Sequence, residues 1–504
     1  MNRIEADASV VVIGGGITGL AAAHRLVERA RDAGSPPSVV VLEADDRVGG
    51  QIRTERHGDF LFEGGPDALV AQKPAGVELC ARLGLGTELC ELGGRSSGTQ
   101  ILHRGRLRRI PEGFLMMAPT RLLPVLRSDL FSWRGKLRMA CEPLVPRRSA
   151  SCDDESLSSF VTRRFGREVL ERVAEPVVAS LFTADADHLS LRLTMPRFLD
   201  FEAAQGSVTR GLRRAFHSPA GGRAFGHGTG RGGFVAVRGG LSRIVGALLA
   251  RLPRGSVRTG ARVSGVDASS DGGFRVRLAN GEVLRAGAVV FACPASAAAT
   301  ALRAHDEQLA ELLSRLRYAS CATVNVAYRE DAVAAHLEGS GFFVPRTEGL
   351  PILACSYLSK KFDGRAPRGV AVFRVFLGGV TRPELFYADD PNLIRQTHET
   401  LAGILAIRGE PLLAKVYRSP AAMPQFEVGA QSSIAAIRAR ASAHPGLFLA
   451  GSVVGAFGLP DCIRSGEEAA KGVEAFLAER QRVSIDAIDP GASAWVAYQA
   501  NQNA

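Results

Sequence analysis

Val10-Val11-Val12-Ile13-Gly14-Gly15-Gly16-Ile17-Thr18-Gly19-Leu20 joins an apolar, β-branched run to a Gly-x-Gly-x-x-Gly pattern. An alanine-rich, helix-forming segment follows at 20–30, and a second apolar run at 38–42 ends at Glu43. Strand, glycine turn, helix, strand and acid in this order, with about twenty residues between the last glycine and the acid, are typical of a dinucleotide-binding βαβ unit. The stretch therefore predicts an α/β fold with a Rossmann-like domain, rather than glycines that serve only a turn.

Each glycine of this pattern has an expected role. Gly14 permits the tight turn, Gly16 lets the backbone approach a pyrophosphate, and Gly19 lets helix and strand pack closely. The helix N-terminus offers free N–H groups to phosphates, and Glu43 can accept a hydrogen bond from a ribose hydroxyl. The residues expected to bind the nucleotide are Gly14, Gly15, Gly16, Ile17, Thr18, Gly19, Glu43 and Ala44.

Two adjacent glycines, Gly49 and Gly50, follow soon after Glu43. Nothing in an NAD site demands a second glycine pair at that point. A longer cofactor, whose phosphates and ribityl chain continue along the protein, does need close backbone approach there. The pattern therefore favours FAD over NAD and adds three expected contacts, Arg47, Gly50 and Gln51.

The far end of the chain carries a similar strand, glycine loop and helix. Residues 446–451 read as a buried strand, 458–463 as a glycine-lined loop, and 465–470 as part of a second helix whose N-terminus suits an anion or a polarised ring edge. Alone, this segment is equally well an ordinary strand–helix unit. Together with the N-terminal motif it predicts that both ends of the chain bind one flavin, with contacts from Gly451, Ser452, Phe457, Gly458 and Leu459.

These motifs, with Glu63-Gly64-Gly65-Pro66-Asp67, resemble the flavin-containing amine oxidase superfamily. Several internal stretches are more similar to its oxygen-dependent protoporphyrinogen oxidase branch, namely 106–113, 155–165, 175–176, 189–191, 341–345 and 422–426. The similarity spans roughly residues 9–478. The resemblance implies FAD as cofactor, with further flavin contacts at Gly65, Pro66, Asp67 and Ala68 and a backbone contact to the adenine at Val263.

The resemblance also implies an activity. It indicates an FAD-dependent oxidase that converts protoporphyrinogen IX or coproporphyrinogen III into the porphyrin in heme biosynthesis, with dioxygen as acceptor. Hydride leaves a meso carbon for the flavin N5 atom in each of three rounds, so no protein residue is assigned as catalytic. Two alternatives stay open: another FAD-dependent desaturase or amine oxidase of this fold, including a carotenoid-type desaturase, and a homologue that retains flavin without turnover.

Three positions depart from the family pattern. Asp67 stands where some relatives have arginine, Thr99 stands where animal and plant relatives place one, and Ser452-Val453-Val454 lacks the usual polar–aromatic pattern. The residues that bind the substrate carboxylates must therefore differ, or the substrate does. Lys361 and Arg365 match a family stretch, but a solvated surface position explains them equally well.

Composition limits the class of protein. A chain of 504 residues with 46% hydrophobic and 22% charged residues is globular and suggests two or three domains. The eight cysteines form no Cys-x-x-Cys and have no nearby histidine pair, which argues against a disulfide framework and a zinc site. We expect no metal, no signal peptide and no membrane span, and hence a cytoplasmic enzyme.

Positive charge is concentrated between Arg95 and Arg148, where twelve lysines and arginines face three acids. Apolar residues such as Leu123, Leu126 and Trp133 are interleaved with them. Such a surface attracts anionic lipid headgroups, which predicts peripheral attachment to the inner face of the cell membrane. The alternative is that the apolar residues are core beneath solvated arginines. No nucleic-acid-binding module is present, and the glycine-rich run 221–233 reads as a mobile loop, a lid or a channel rim.

The predicted architecture combines a discontinuous Rossmann-like FAD domain with two others. One is an α+β substrate domain built on a mixed sheet, and the other is mainly helical and faces the membrane. A homodimer is among the oligomeric states left open. The predicted segments are 1–94 (first segment of the FAD domain), 95–205 (helical domain), 206–304 (glycine-rich loop and second segment of the FAD domain), 305–435 (substrate domain), 436–480 (third segment of the FAD domain) and 481–504 (frayed tail).

Overall fold

A computed structural model of the chain describes residues 5–32, 38–91, 98–115, 117–148, 154–217, 233–270 and 272–488. The chain forms two compact units, each discontinuous in sequence. The first unit comprises Met1–Gly50, Val245–Arg315 and Ile434–Ala504, and the second comprises Gln51–Ile244 and Leu316–Ser433.

The strands, in chain order, are β1 (Glu5–Ile13), β2 (Val39–Leu42), β3 (Thr54–His57), β4 (Phe60–Glu63), β5 (Leu69–Val70), β6 (Leu89–Glu91), β7 (Gln100–His103), β8 (Arg106–Arg109), β9 (Phe114–Leu115), β10 (Ala118–Pro119), β11 (Phe234–Val237), β12 (Val257–Arg258), β13 (Val263–Ala268), β14 (Phe274–Leu278), β15 (Val283–Phe291), β16 (Tyr318–Arg329), β17 (Gly341–Phe343), β18 (Ile352–Tyr357), β19 (Val370–Gly378), β20 (Leu413–Pro424) and β21 (Leu447–Leu449).

The helices are α1 (Ile17–Asp32), α2 (Pro74–Arg82), α3 (Leu122–Arg127), α4 (Trp133–Ala140), α5 (Leu157–Phe165), α6 (Arg167–Val169), α7 (Glu175–Phe182), α8 (Leu191–Thr194), α9 (Pro196–Gln205), α10 (Val208–His217), α11 (Ser242–Leu249), α12 (Ala295–Leu302), α13 (Glu307–Ser314), α14 (Leu358–Lys361), α15 (Glu384–Tyr387), α16 (Asp390–Leu405), α17 (Ala430–Ser442) and α18 (Leu459–Ile488). A five-residue π-helical segment, Leu170–Ala174, connects α6 to α7.

The first unit is built on a largely parallel sheet. Its path is β12-β2-β1-β15-β14-β13, and β21 pairs with β15 beyond the end of β14. Val10, Val11 and Val12 in the central strand β1 are all fully buried, because both faces of a parallel sheet are covered. Helices α1 and α18 pack against each other in this unit. The predicted βαβ unit at 10–43 and the α/β class are confirmed.

The second unit contains another sheet, ordered β20-β16-β19-β18-β17-β7-β8. Its pairs are antiparallel except for β17 with β7, which run parallel. One face of this mixed sheet carries the apolar side chains of a large core that includes residues of α16 (Leu102, Val324, Val326, Phe342, Phe373, Val375, Leu377, Leu393, Leu401 and Leu405). A mixed sheet was expected for 305–435, but the hairpin β7–β8 from the predicted helical segment also joins it.

Helices dominate the second unit between Leu122 and His217, whereas the mainly helical segment was expected at 95–205. The side chain of Arg164 is fully buried there and lies 3.2 Å from Glu142 and 2.6 Å from Glu202. A buried guanidinium needs such partners, since a charge without them is costly to remove from water. These ion pairs connect α5 to α9 and to the turn at Glu142.

Some boundaries differ from the expected segments. Residues 51–94 and 206–244, expected in the FAD domain, belong to the second unit, and residues 305–315, expected in the substrate domain, belong to the first. Helix α18 continues past Arg480 to Ile488. The expected frayed tail beyond that point, Cys152 and most of the glycine-rich run 221–233 lie outside the described residues. No disulfide joins the described cysteines, and no helix in the described ranges is long and apolar enough to cross a membrane.

Candidate flavin site and substrate face

The turn between β1 and α1 requires glycine at two of the expected positions. Gly14 has φ = +110°, and a Cβ there would lie 2.5 Å from the carbonyl oxygen of Ala292. A Cβ on Gly19 would lie 2.0 Å from the carbonyl oxygen of Gly14. A left-handed turn and a close helix–strand approach therefore explain these two glycines without reference to any ligand.

Gly16 is different, because the packing of the protein around it does not require a glycine at this position. A Cβ on Gly16 would meet only the Cα of Gly50, at 3.9 Å. The backbone N–H of Gly49 donates to the carbonyl oxygen of Gly15 at 2.8 Å, which holds the two glycine loops side by side. Two stretches of bare backbone thus border open space at the start of α1, as a pyrophosphate site requires.

Glu43 lies at the carboxyl end of β2, beside the same turn. Its Oε2 accepts a hydrogen bond from the N–H of Gly15 at 2.7 Å, and its Oε1 accepts one from the N–H of Asp45 at 2.9 Å. A carboxylate has about four acceptor positions, so both oxygens can still accept from ribose hydroxyls. Ala44 follows directly on the same loop.

The segment that leads into Val263 runs alongside Glu43. The N–H of Glu43 donates to the carbonyl of Arg258 at 2.8 Å, and the N–H of Ala261 donates to the carbonyl of Glu43 at 2.7 Å. Val263 begins β13 two residues later. This places the backbone expected to contact the adenine close to the residue expected to contact the ribose. The loop after Glu43 is fixed by Arg47, whose Nη2 donates to the carbonyl of Gly50 at 2.7 Å.

The C-terminal segment meets the start of α1. A Cβ on Gly451 would lie 3.2 Å from Thr18 Oγ1, and a Cβ on Gly466 would lie 2.2 Å from the carbonyl oxygen of Thr18. Ser465 Oγ accepts a hydrogen bond from the N–H of Gly451 at 2.9 Å. The two ends of the chain are therefore joined within the first unit, as the sequence predicted.

The loop before α18 contains the other expected residues of this segment. Ser452 lies in a short 3-10 turn, Gly451–Val454, and Gly458 has φ = +76° immediately before the first residue of the helix, Leu459. Phe457 is partly buried next to it. The residues of the first unit thus fit the dinucleotide part of FAD: Glu43 for the ribose, the backbones of Gly16 and Gly50 for the phosphates, and the N-terminus of α1 for their charge.

The remaining expected flavin contacts, Gln51 and 65–68, lie in the second unit. A Cβ on Gly65 would lie 1.6 Å from the carbonyl oxygen of Gln51, so no other residue fits that position without moving the backbone. Pro66 and Ala68 are partly buried on either side of Asp67.

Asp67 forms an ion pair that the sequence did not reveal. Lys361 Nζ donates to Asp67 Oδ2 at 2.8 Å, and Arg365 Nη1 donates to Glu63 Oε1 at 2.9 Å. The side chain of Lys361 is 13% exposed and that of Arg365 is 3% exposed. The explanation of these two cations as solvated surface residues is therefore wrong, and both belong to a buried charged cluster.

The pKa values of the two carboxyls move in opposite directions. Burial alone raises the pKa of Asp67, but the charges of Lys361 and Arg374 outweigh it and lower that pKa to about 2. Burial raises the pKa of Glu63, against the opposing charge of Arg365. Glu63 also accepts hydrogen bonds from Thr54 Oγ1 at 2.7 Å and from the N–H of Leu241 at 3.0 Å. Asp67 is thus ionised at neutral pH, and Glu63 has several donors.

Arg374 and Asn325 were missed by the sequence reasoning. They face each other on β19 and β16, and their side chains are 4% and 0% exposed. A signal was available, because Val370–Gly378 is apolar apart from a single arginine at its centre. Cys293 was also missed: it lies near Glu43, and burial raises the pKa of its thiol to about 12.

Some of the internal family stretches lie together in the second unit. Ser156 forms a bridge with Ser190, and the N–H of Ser190 donates to the carbonyl of Phe426 at 2.8 Å. Glu175 lies 4.0 Å from Arg346, next to the stretch that ends at Pro345. These contacts join 155–165 with 189–191 and 422–426, and 175–176 with 341–345.

Comparison with known proteins identifies the class. The family model for flavin containing amine oxidoreductase matches residues 17–473. The chain belongs to this family and is an FAD-dependent oxidoreductase.

Individual relatives give a more specific comparison than the family model does. The chain is 32% identical to a coproporphyrinogen III oxidase of Bacillus subtilis (strain 168), over 93% of this chain and 98% of that protein. It is 30% identical to protoporphyrinogen oxidase 1, chloroplastic, of Arabidopsis thaliana, over 93% of this chain and 88% of that protein. A solved structure from Exiguobacterium sp. 255-15 superposes with a TM-score of 0.79 at 29% identity, covering 94% of this chain and 100% of that chain.

Proposed function

We propose that this protein oxidises a porphyrinogen, coproporphyrinogen III or protoporphyrinogen IX, to the porphyrin in heme biosynthesis, with dioxygen as the electron acceptor. The observation that carries the proposal is similarity over nearly the whole chain to relatives named for these two reactions. Coproporphyrinogen III is the preferred substrate, because the bacterial relative with that name is 32% identical and has 98% of its length covered.

Bound FAD supplies a two-electron acceptor for hydride from a meso carbon. Glu43 and the bare backbones of Gly16 and Gly50 would hold the nucleotide. Each round also releases one proton from the macrocycle to water, and one dioxygen takes up the two electrons and two protons of that round as hydrogen peroxide. No titratable side chain of the described residues is assigned to proton transfer.

The direct test is anaerobic mixing of the yellow holoprotein with each porphyrinogen, followed by admission of oxygen. We expect the flavin absorbance to bleach, porphyrin fluorescence to appear, and the flavin colour to return with oxygen. The two alternative functions, another flavin-dependent desaturase or amine oxidase and a flavin-retaining protein without turnover, predict different results. A desaturase or amine oxidase would be bleached by a different reductant, and a protein that retains flavin without turnover would be bleached by neither porphyrinogen.

We also propose that the protein attaches peripherally to an anionic membrane surface. Helices α3 and α4 expose large apolar side chains beside three exposed arginines; we call this set the basic patch (Arg121, Leu123, Leu126, Arg127, Trp133, Arg134 and Leu137). Trp133 is 73% exposed and Leu137 is 66% exposed. The combination suits shallow insertion among anionic headgroups.

Other apolar residues between Arg95 and Arg148 fit the alternative expectation, which is that they form core beneath solvated arginines. Val125, Leu130, Phe131 and Met139 are buried and contribute to the core beneath the basic patch. The apolar residues between Arg95 and Arg148 thus divide into two groups, and only the exposed group supports the membrane proposal.

A further inference from the structure

The sheet that contains β16 and β19 has two unlike faces. Alternate residues of a strand point to opposite faces, and Phe373, Val375 and Leu377 lie in the apolar core on one side. The opposite face of the same strand carries Val372, Arg374 and Phe376. A buried polar residue in such a position is informative, whereas a buried apolar one is not.

The polar centre of this second face meets the loop of Asp67. Asn325 Nδ2 donates to the carbonyl of Glu63 at 3.2 Å, and Thr323 Oγ1 donates to the carbonyl of Gly64 at 3.3 Å. The side chains of Arg374, Lys361, Arg365, Glu63 and Asp67 form one electrostatically coupled group, which we call the buried charge cluster.

The cluster contains three cations, Lys361, Arg365 and Arg374, but only two carboxylates, Glu63 and Asp67. Lys361 is bonded to Asp67 and Arg365 to Glu63, at 2.8 and 2.9 Å. Arg374 is left over. None of the described residues accepts a hydrogen bond from its guanidinium, its Nε is fully buried without a hydrogen-bond partner, and the centroid of the Phe376 ring lies 4.7 Å from its Cζ.

An unpaired buried guanidinium is costly to the fold, because removal of the charge from water is not compensated by a bonded anion. A planar guanidinium also has the geometry that binds carboxylates through two parallel N–H···O bonds. The arrangement is therefore expected where a protein keeps a cation ready for an anionic ligand.

We propose that Arg374 binds a carboxylate of the substrate, with Lys361 and Arg365 held away from that carboxylate by their own acids. This inference rests on the proposed function, which supplies a macrocycle edged with carboxylates. In this chain position 99 is a threonine rather than the arginine of animal and plant relatives, and Arg374 would supply the missing cation. Thr99 immediately precedes β7, and by alternation it belongs to the same sheet face as Arg374, three strands and about 14 Å away. The cation proposed to bind the substrate carboxylate thus lies at a different position from residue 99 but on the same face of the sheet.

The test compares a charged ligand with its uncharged ester. The proteins are holoenzyme wild type, Arg374→Met, Arg374→Lys and the control Arg368→Met, which makes the same change at an exposed arginine just before β19. The probes are coproporphyrinogen III and its tetramethyl ester in oxidase assays, and the two corresponding porphyrins in fluorescence binding titrations. Thermal unfolding is measured without and with coproporphyrin III.

We expect Arg374→Met to weaken binding of the acid, as KM and as Kd, by about 10- to 100-fold, the loss typical of a charged hydrogen-bonded pair. The ester should be affected less than about threefold, and kcat should change little. Arg374→Lys should fall between wild type and Arg374→Met for the acid. The ligand-free Arg374→Met protein should unfold at the same temperature as wild type or higher, but coproporphyrin III should no longer raise that temperature.

A merely structural arginine gives a different result. Equal effects on acid and ester, or a lower unfolding temperature with an intact preference for the acid, would overturn the proposal. If Arg374→Met does not fold, the same comparison is made with Arg374→Lys. A loss of affinity for the acid that exceeds the loss for the ester supports the proposal, and equal losses overturn it. Failure of the proposed function is distinguishable, because wild type would then oxidise neither the acid nor the ester.

Discussion

Glu43 Oε2 lies 2.7 Å from the backbone nitrogen of Gly15, so the acid at the end of β2 and the glycine turn after β1 are directly bonded. The same carboxylate bonds the N–H of Asp45. Glu43 therefore shapes the nucleotide loop even before it meets a ribose. A change at Glu43 should affect both the loop and the ligand.

Glu43→Gln should lower FAD affinity by about 10- to 100-fold, because the amide replaces one carboxylate acceptor with a donor. Glu43→Ala should lower it further, since it also leaves the N–H groups of Gly15 and Asp45 without their acceptor. Equilibrium titration of the cofactor-free protein with FAD measures both values. Glu468→Gln, at an exposed position on α18, serves as the control. Equal FAD affinity in Glu43→Gln and Glu468→Gln would contradict the assigned role.

Gly16→Val should abolish flavin retention without harm to the cofactor-free fold. The reason is that a side chain at this position meets open space apart from the Cα of Gly50. The unfolding midpoint of the cofactor-free variant should stay within about 2 °C of wild type. The purified variant should lack flavin absorbance.

Gly246→Val is the matched control for that experiment, because Gly246 on α11 also has open space around its missing Cβ. It should be purified with a full complement of flavin. A yellow, fully loaded Gly16→Val protein would refute the phosphate assignment. A Gly16→Val protein that fails to fold would refute the inference of open space at this position.

Glu175 should make stability depend on pH. Burial, opposed by Arg346, raises the pKa of Glu175 from 4.5 to about 7. Its stabilising contribution is complete below pH 4.5, where folded and unfolded forms are both protonated, and it is lost as the pH rises towards 7. The loss is about 3 kcal/mol, at about 1.4 kcal/mol per pH unit.

Glu175→Gln should remove this slope and be the more stable protein at pH 8. Urea unfolding at several pH values between 4.5 and 8 measures the difference from wild type. Glu384→Gln, at an exposed position on α15, should leave the slope unchanged. A Glu175→Gln protein with the wild-type slope would show that Glu175 titrates normally.

The basic patch should bind vesicles that contain anionic lipid. We expect co-sedimentation with phosphatidylglycerol vesicles, little with pure phosphatidylcholine, and a decrease as salt screens the arginines. Leu137→Glu should reduce binding by about tenfold or more, because it adds a charge to the inserting face. Leu412→Glu changes an exposed leucine outside the patch and should have no effect. Binding that ignores both anionic lipid and salt would remove the membrane proposal.

The sequence predicted the regions of the fold that depend on neighbouring residues. The run from Val10 to Glu43 contains strand, turn, helix and acid within a short stretch, so periodicity and glycine spacing identify it. The C-terminal strand expected at 446–451 and the helix expected at 465–470 were recognised for the same reason. The loop expected at 458–463 was wrong, because the helix already begins at Leu459, and it extends past Arg480 to Ile488.

Contacts between distant residues were not predictable in this way. Lys361 and Asp67 are 294 positions apart, and nothing local distinguishes a buried ion pair from two surface charges. The pairing of β7 with β17 likewise joins 100–101 to 342–343, so two strands of a segment expected to be mainly helical belong to the sheet. The sequence does show Arg374 as the single charged residue in an apolar strand. Only the ion pairs of Lys361 with Asp67 and of Arg365 with Glu63 show that Arg374 is the cation without a bonded carboxylate.

The assembly of the first unit from three separate stretches of chain has a consequence for biosynthesis. Its central strand β1 is synthesised long before β21 and α18. The expected FAD site therefore stays incomplete until β21 and the start of α18 have been synthesised, and we expect FAD to bind only after that point. A chain cut short near Ser433 would contain the whole second unit and every residue of the glycine turn, and would still lack the segment that closes against Thr18.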